Sequence, residues 1–276
     1  MRFYVGASEK ISIFARDKLE SSHIKENILP KIINTMKCST AVFATSLALL
    51  MISCTNASEE TFIDGVKMAL ADDGKVDPGL LEWTREPQDF SMNGDTLSIT
   101  TAPHTDLWQR TYYHFRNDNA PVLQMKTREK YFSFVVKTDF TRSHHRFDQC
   151  GIVMYLDSEN WLKGSVEYEN EMFQHLGSVV TNHGYSDWAT TAIPADVKTM
   201  WYRFSRRADD YCIECSADGV TFSQMRVCHM YKGVDEIAFG IYACSPEESS
   251  FTAVFTDLKI TECMWKAHDG QQPDAE

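Results

Sequence analysis

The alternation of apolar and polar positions is clearest between Phe147 and Trp188. Three runs there repeat with a period of two, which sends successive side chains to opposite faces of a strand. They cover residues 149–156, 161–168 and 173–181. The polar stretches Asp157-Ser158-Glu159-Asn160 and Glu169-Asn170-Glu171 part them and predict two hairpin turns. In the first run Cys150, Ile152, Met154 and Leu156 share an apolar face, opposite Gln149, Gly151, Val153 and Tyr155. In the second, Leu162, Gly164, Val166 and Tyr168 lie opposite Trp161, Lys163, Ser165 and Glu167. This second face carries a Trp, a Lys and a Glu in a row, beside Gln149 and Tyr155. Such a mixture predicts a shallow polar cleft with an aromatic floor. A solvated outer face with one exposed Trp fits the same pattern and stays open.

The period of two continues through most of the chain after Asp77. Residues 96–100, 122–127, 131–140, 189–194, 199–206, 211–215, 221–228, 237–244 and 251–261 read as strands, and 105–111 reads as a loop after Pro103. Asp218-Gly219 is the strongest short hairpin signal. Few segments after 77 have a helical period. About a dozen short strands joined by turns predict an all-β fold, an antiparallel two-sheet jelly-roll sandwich.

The start of the chain has a different pattern. Residues 41–52 are almost wholly apolar or small and follow Lys37, the length of a signal-peptide core and shorter than the ~20 residues of a spanning helix. The run ends Leu50-Met51-Ile52-Ser53-Cys54, which resembles a bacterial lipobox, with Met51 where Leu is commonest. The expectation is a lipoprotein signal over 36–53, lipidation at Cys54, and a location in the bacterial cell envelope. Membrane attachment would then be through that N-terminal lipid anchor only. A plain secretory signal or an uncleaved anchor are the alternatives. Residues 1–35 read as an overlong start, 54–76 as the lipidated Cys and a tether with a helical turn or two, 77–264 as the sandwich, and 265–276 as a disordered tail.

The chain has 276 residues and a formal charge of −12. That balance argues against nucleic-acid binding through phosphate neutralisation. Of the 8 Cys, Cys38 and Cys54 fall in the leader. Cys212-x-x-Cys215 has no second pair at zinc spacing, so it reads as buried small hydrophobes, and no disulfide map is drawn. No metal and no cofactor is expected: His144-His145, His175 and His183 lack ligand spacing, and no phosphate loop or dinucleotide fingerprint is present.

Several motifs together resemble a known family. They are Phe147-Asp148-Gln149-Cys150-Gly151-Ile152, Asn160-Trp161-Leu162-Lys163-Gly164, Val166-Glu167-Tyr168, Ser178-Val179-Val180-Thr181 and Ser186-Asp187-Trp188. Thr105-Asp106-Leu107-Trp108-Gln109-Arg110, Asn117-Asp118-Asn119, Ser216-Ala217-Asp218-Gly219 and Cys244-Ser245-Pro246 match in the same order. They are similar to a domain-of-unknown-function family of the concanavalin A-like superfamily, which includes the fungal regulator-of-enolase protein. The resemblance covers residues 81–260. It implies a curved jelly roll of the lectin and glucanase architecture, and it implies no activity. Cys150 stands where a small residue is usual, and Asn119-Ala120-Pro121 where Asn-Gly is usual. The fungal member is not a lipoprotein, so its role is not carried over.

Two kinds of chemistry are weighed for the predicted cleft. Sugar binding asks for aromatic platforms and a few orienting polar groups. Trp161, Trp188, Trp108 and Tyr185 are candidate platforms; Gln149, Lys163, Glu167, Asp187, Asp106 and Arg110 are candidate polar contacts. Glycoside hydrolysis needs two carboxyl groups about 5–9.5 Å apart. Glu167-x-Glu169-x-Glu171 resembles a glucanase strand signature, but it runs into a predicted turn and lacks the central aspartate. Glu167 with Asp148 or Asp187 is the other catalytic candidate. The favoured expectation is a lectin-like carbohydrate-binding domain, with a glycoside hydrolase or a non-catalytic regulatory, protein-interaction domain as alternatives.

Overall fold

The computed structural model describes residues 62–266. The expected signal at 36–53, Cys54 and residues 1–35 lie outside them, as does the tail from 267 on. Two seven-stranded antiparallel sheets form the sandwich. One runs, in spatial order, β1 (Glu82–Arg85), β6 (Val122–Thr127), β15 (Ile237–Cys244), β8 (Gln149–Asp157), β9 (Asn160–Tyr168), β10 (Phe173–Asn182) and β11 (Tyr185–Pro194). The other runs β14 (Ser223–His229), β13 (Asp210–Ser216), β12 (Thr199–Arg207), β7 (Tyr131–Asp139), β16 (Thr252–Glu262), β3 (Thr96–Thr100) and β2 (Asp89–Asn93). A separate small hairpin pairs β4 (Leu107–Gln109) with β5 (Arg116–Asp118). This is the all-β jelly-roll architecture that the alternation predicts.

The main core lies between the two large sheets. Cys150, Ile152, Met154, Leu162 and Val166 from the first sheet meet Phe132, Phe134, Tyr202, Phe204 and Phe255 from the second. Phe239 of β15 packs on Phe132 and Phe134, with ring centroids 4.8 and 5.3 Å apart. Arg206 also points inward and is fully buried. Its guanidinium donates to the carbonyls of Ala208, Glu129, Gly233 and Val234, so a buried cation is held by loop backbone.

The other face of the first sheet is covered too. Leu107 and Trp108 of β4 pack with Val153, Tyr155, Trp161, Val179, Tyr242 and Cys244 in a second apolar cluster. Strands β8 and β9 are therefore buried on both faces over most of their length. Part of the stretch 105–111, expected as a loop, forms β4 and is the reason this face is not solvated. At Gly151 on β8 an added Cβ would lie 1.9 Å from the Gly164 carbonyl oxygen, so only glycine permits this close approach to β9.

The expected boundary at Asp77 needs correction. A helix, α1 (Gly65–Ala71), sits inside the segment read as a tether. Asp64 caps it, accepting from Lys67 N at 3.3 Å, and ties it to β6 through Thr127 Oγ1 at 2.7 Å and Arg128 N at 2.9 Å. Val66, Ala69 and Val76 belong to the main core. The helical turn or two expected in this segment is this helix of 7 residues, and what differs from the expectation is its docking on the core. At the other end the Trp265 carbonyl accepts two bonds from Arg207, so the first residue of the expected tail is tied to β12. Both cysteines of Cys212-x-x-Cys215 have free thiols on β13, and burial pushes that of Cys212 up to about 12.

Candidate functional site

The mixed face of β8 and β9 looks into a cavity of about 480 Å³. Register explains how its polar residues meet. Gln149 pairs directly with Glu167, and Val153 with Lys163, so the long Lys163 side chain reaches diagonally along the sheet. Lys163 Nζ lies 2.8 Å from Gln149 Oε1 and 3.5 Å from Asp106 Oδ1. Tyr242 of β15 donates to the same Gln149 oxygen at 2.9 Å, and Gln149 Nε2 donates to the Phe147 carbonyl at 3.1 Å. The Gln149 amide is thus fixed in orientation by three partners. The ammonium also sits 5.4 Å from the Tyr242 ring centre and 5.9 Å from that of Trp161.

The floor is almost closed to solvent, with Lys163 2% and Glu167 6% exposed. Burial opposes the Lys163 charge, but Asp106 and, more weakly, Glu167 outweigh it and hold its pKa above the ordinary lysine value. Burial pushes the Glu167 carboxyl up to about 7; Lys163 pulls it back in part, while Asp106 adds to the rise. Among the described residues nothing donates a hydrogen bond to the Glu167 carboxyl. The Asp106 carboxylate is engaged, among the described residues, through Oδ1 alone, by Leu107 N at 2.7 Å and by Lys163. Glu167, Asp106 Oδ2 and the Asn117 amide therefore remain as hydrogen-bonding groups facing the cavity.

Aromatic rings make the walls. Trp108 meets Trp188 edge to face at 6.4 Å and Tyr113 at 5.4 Å, and Tyr113 stacks with Phe115 at 5.8 Å. Phe147 adds a ring, with the Arg146 guanidinium 4.5 Å from its centre. Phe147 has a left-handed backbone (φ 67°), uncommon for a bulky residue, and it turns the chain into β8.

The structure sorts the candidates of the sequence. Gln149, Lys163, Glu167, Asp106, Trp108 and Trp188 line one cavity. Trp161 does not reach it as a platform: it is wholly buried beneath β4, in the second apolar cluster. Arg110 is committed elsewhere, to the Gly184 carbonyl at 2.6 Å and Glu159 at 2.7 Å, pinning the small hairpin to the turn between β10 and β11. Tyr185 stacks under that guanidinium, outside the cavity. Asp148 is buried away from the cavity and accepts from Ser245 Oγ, Ser249 Oγ, His144 N and His145 N. Such a carboxylate is a structural acceptor, with no position free for acid or base work. Asp187 lies outside this cavity and pairs with Arg226 of β14 at 2.9 Å. Glu169 pairs with Arg146 and also lies outside, so the Glu167, Glu169 and Glu171 spacing does not converge.

Tyr113, Phe115, Asn117, Phe147 and Glu247 are cavity residues that the alternation does not reveal. They sit on loops and on a three-residue strand, where no period exists. Phe147 and Asn117 stand in motifs of the family resemblance, and the aromatic cluster Tyr112-Tyr113-His114-Phe115 is the compositional signal for Tyr113 and Phe115.

Relatives are consistent with this architecture. The chain is 28% identical over 189 residues to "Regulation of enolase protein 1" of Saccharomyces cerevisiae, covering 68% of this chain and 92% of that protein. The solved structure of a functionally unknown protein from Saccharomyces cerevisiae superposes with a TM-score of 0.62 at 25% identity, over 68% of this chain and all of the other. A mutant of the GH43 protein BlXynB from Bacillus licheniformis gives a TM-score of 0.53 at 19% identity, over 72% of this chain and 39% of that one, a likeness of fold. The expected location in a bacterial cell envelope is overturned by the yeast relatives, which come from a eukaryote with no such envelope. The family model described as "Protein of unknown function (DUF1349)" matches residues 83–263, most of the sandwich, and this chain belongs to that family.

Proposed function

We propose that the cavity over β8 and β9 binds a carbohydrate without cleaving it. What carries this reading is one combination: aromatic walls from Trp108, Trp188 and Tyr113 around a floor where Glu167, Asp106 and Asn117 offer free hydrogen-bonding atoms. A sugar ring presents apolar C–H faces to aromatic rings and hydroxyls that donate to carboxylates. A volume of about 480 Å³ lies within the usual range for small-ligand sites. The fixed Lys163–Gln149–Tyr242 network is a preorganised floor, which lowers the ordering cost of binding.

The second reading is glycoside hydrolysis. It is favoured by the raised pKa of Glu167, about 7, which keeps an acid protonated near neutrality. Of the partners expected for it, Asp148 and Asp187 lie outside the cavity; Asp106 is a carboxylate inside, and it is engaged by Lys163.

Calorimetric titration of the full chain against mono- and oligosaccharides tests both. The binding reading expects a saturable heat, lost in Trp188→Ala and weakened in Glu167→Gln, with the sugar recovered intact. Release of cleaved product that stops in Glu167→Gln would establish the hydrolase instead. No heat with any saccharide would end both readings and leave a regulatory role, the one the yeast relative's name describes.

A further inference from the structure

The Trp108, Tyr113 and Trp188 wall has a second side. A neighbouring cavity of about 450 Å³ shares these three rings and adds Tyr112, Thr111 and Asp187. One row of rings therefore separates two concavities, one with a buried floor over Glu167 and a more open one beside Tyr112.

The open cavity is built by an unusual loop. Between β4 and β5, Arg110, Tyr112 and His114 all have left-handed backbones, with φ of 55°, 62° and 61°. Thr111 N donates to the Gln109 carbonyl and Tyr113 N to the Thr111 carbonyl, each at 2.7 Å. Hydrogen bonds two residues back around a positive φ describe two successive γ-turns of the rare, strained kind. Non-glycine residues hold such conformations only where their surroundings impose them, and such strain gathers at ligand sites. Here it stands Tyr112 edge-on to Tyr113 at 5.0 Å, with Tyr112 79% exposed. A large aromatic ring kept in water by strained backbone gives the fold little packing in return.

Polar groups suited to hydroxyls border this ring. Asp187 gives one oxygen to Arg226, and its side chain is 71% exposed, so the other oxygen faces solvent. Thr111 brings a hydroxyl, and among the described residues that hydroxyl has no partner.

We propose that the two cavities are adjoining subsites for one oligosaccharide. One sugar residue occupies the floor over Glu167, and the next crosses the Trp108–Trp188 wall to rest on Tyr112 beside Asp187. This rests on the carbohydrate reading above and narrows it from a sugar to a chain of at least two residues.

The test is titration calorimetry of the full chain with three series: glucose, cellobiose and cellotriose; xylose, xylobiose and xylotriose; mannose, mannobiose and mannotriose. The responding series should show a gain of about tenfold from mono- to disaccharide, which corresponds to about 1.4 kcal/mol. Tyr112→Asn removes the ring while keeping a residue that tolerates positive φ, and it should abolish that gain. Tyr112 is outside the first cavity, so monosaccharide binding should persist. Equal affinity for one, two and three sugar units would overturn the second subsite and leave the first intact, as would a full gain in Tyr112→Asn. Absence of binding in all three series would overturn both subsites together with the carbohydrate reading.

Discussion

Glu167 is the carboxylate whose environment departs furthest from its ordinary chemistry. Burial raises its pKa from an unperturbed 4.5 to about 7. A raised carboxyl pKa means that the folded state holds the proton more tightly than the unfolded chain. Stability is then fully present below about pH 4.5, falls as the unfolded chain ionises, and levels off above about pH 7. Melting temperature should decline across that window in the wild type, and Glu167→Gln should flatten the decline; parallel profiles would refute the assignment. Asp148 is the contrasting carboxylate. Its two oxygens receive four donors, so Asp148→Ala should cost about 2–4 kcal/mol in urea unfolding by leaving buried donors unpaired, and should leave sugar affinity unchanged. A variant with native stability would contradict the structural role. Parity alone places Lys163 and Glu167 on one face, because period two is a property of the backbone. It cannot say what covers that face. Trp161 shares their parity, and it is buried because β4 lies over it, a contact made from far away in sequence.

At the scale of elements, the longer strands were legible and most of the short ones were not, β3 at 96–100 being the exception. The run expected at 149–156 is β8 over Gln149–Asp157, and the segment 237–244 is β15 without change, since eight or nine residues show several cycles of alternation. Strands β1, β2, β4 and β5 have three to five residues, and pairing partners elsewhere in the chain decide their state. The helix α1 is the element with the clearest test. It buries Val66 and Ala69 in the main core, and Asp64 fastens it to β6. A chain beginning at Asp77 would lose those contacts together with Val76, exposing the core where the helix covers it. Burial of two or three small apolar side chains is worth about 1–2 kcal/mol each. The shortened chain should therefore melt several degrees below one beginning at residue 62, with the β-type circular dichroism retained. Identical melting points would restore the tether reading.

At the scale of the whole molecule, the sandwich is closed by strands late in the sequence. Strand β16 lies between β7 and β3, pairing Thr252 with Thr100 and Ile260 with Phe134. Lys75, close to the start of the described residues, bridges to Lys259 on the same strand. The sheet that carries the cavity is closed in the same non-local way, with β15 inserted between β6 and β8. Neither sheet can be completed until β15 and β16 are present, so the buried floor of Lys163, Gln149 and Tyr242 forms only when β15 delivers Tyr242. Two consequences can be measured. A chain truncated before Thr252 should lack a cooperative unfolding transition rather than fray at one edge, because β7 and β3 both lose a neighbour and Phe255 and Ile260 leave the core. Refolding of the full chain from urea should also be slow, on the order of milliseconds to seconds, since closure of long loops precedes the contacts that reward it. A stopped-flow trace complete in microseconds, or a truncated chain with an unchanged transition, would show that the central meander of β8, β9 and β10 folds and holds its cavity without the ends.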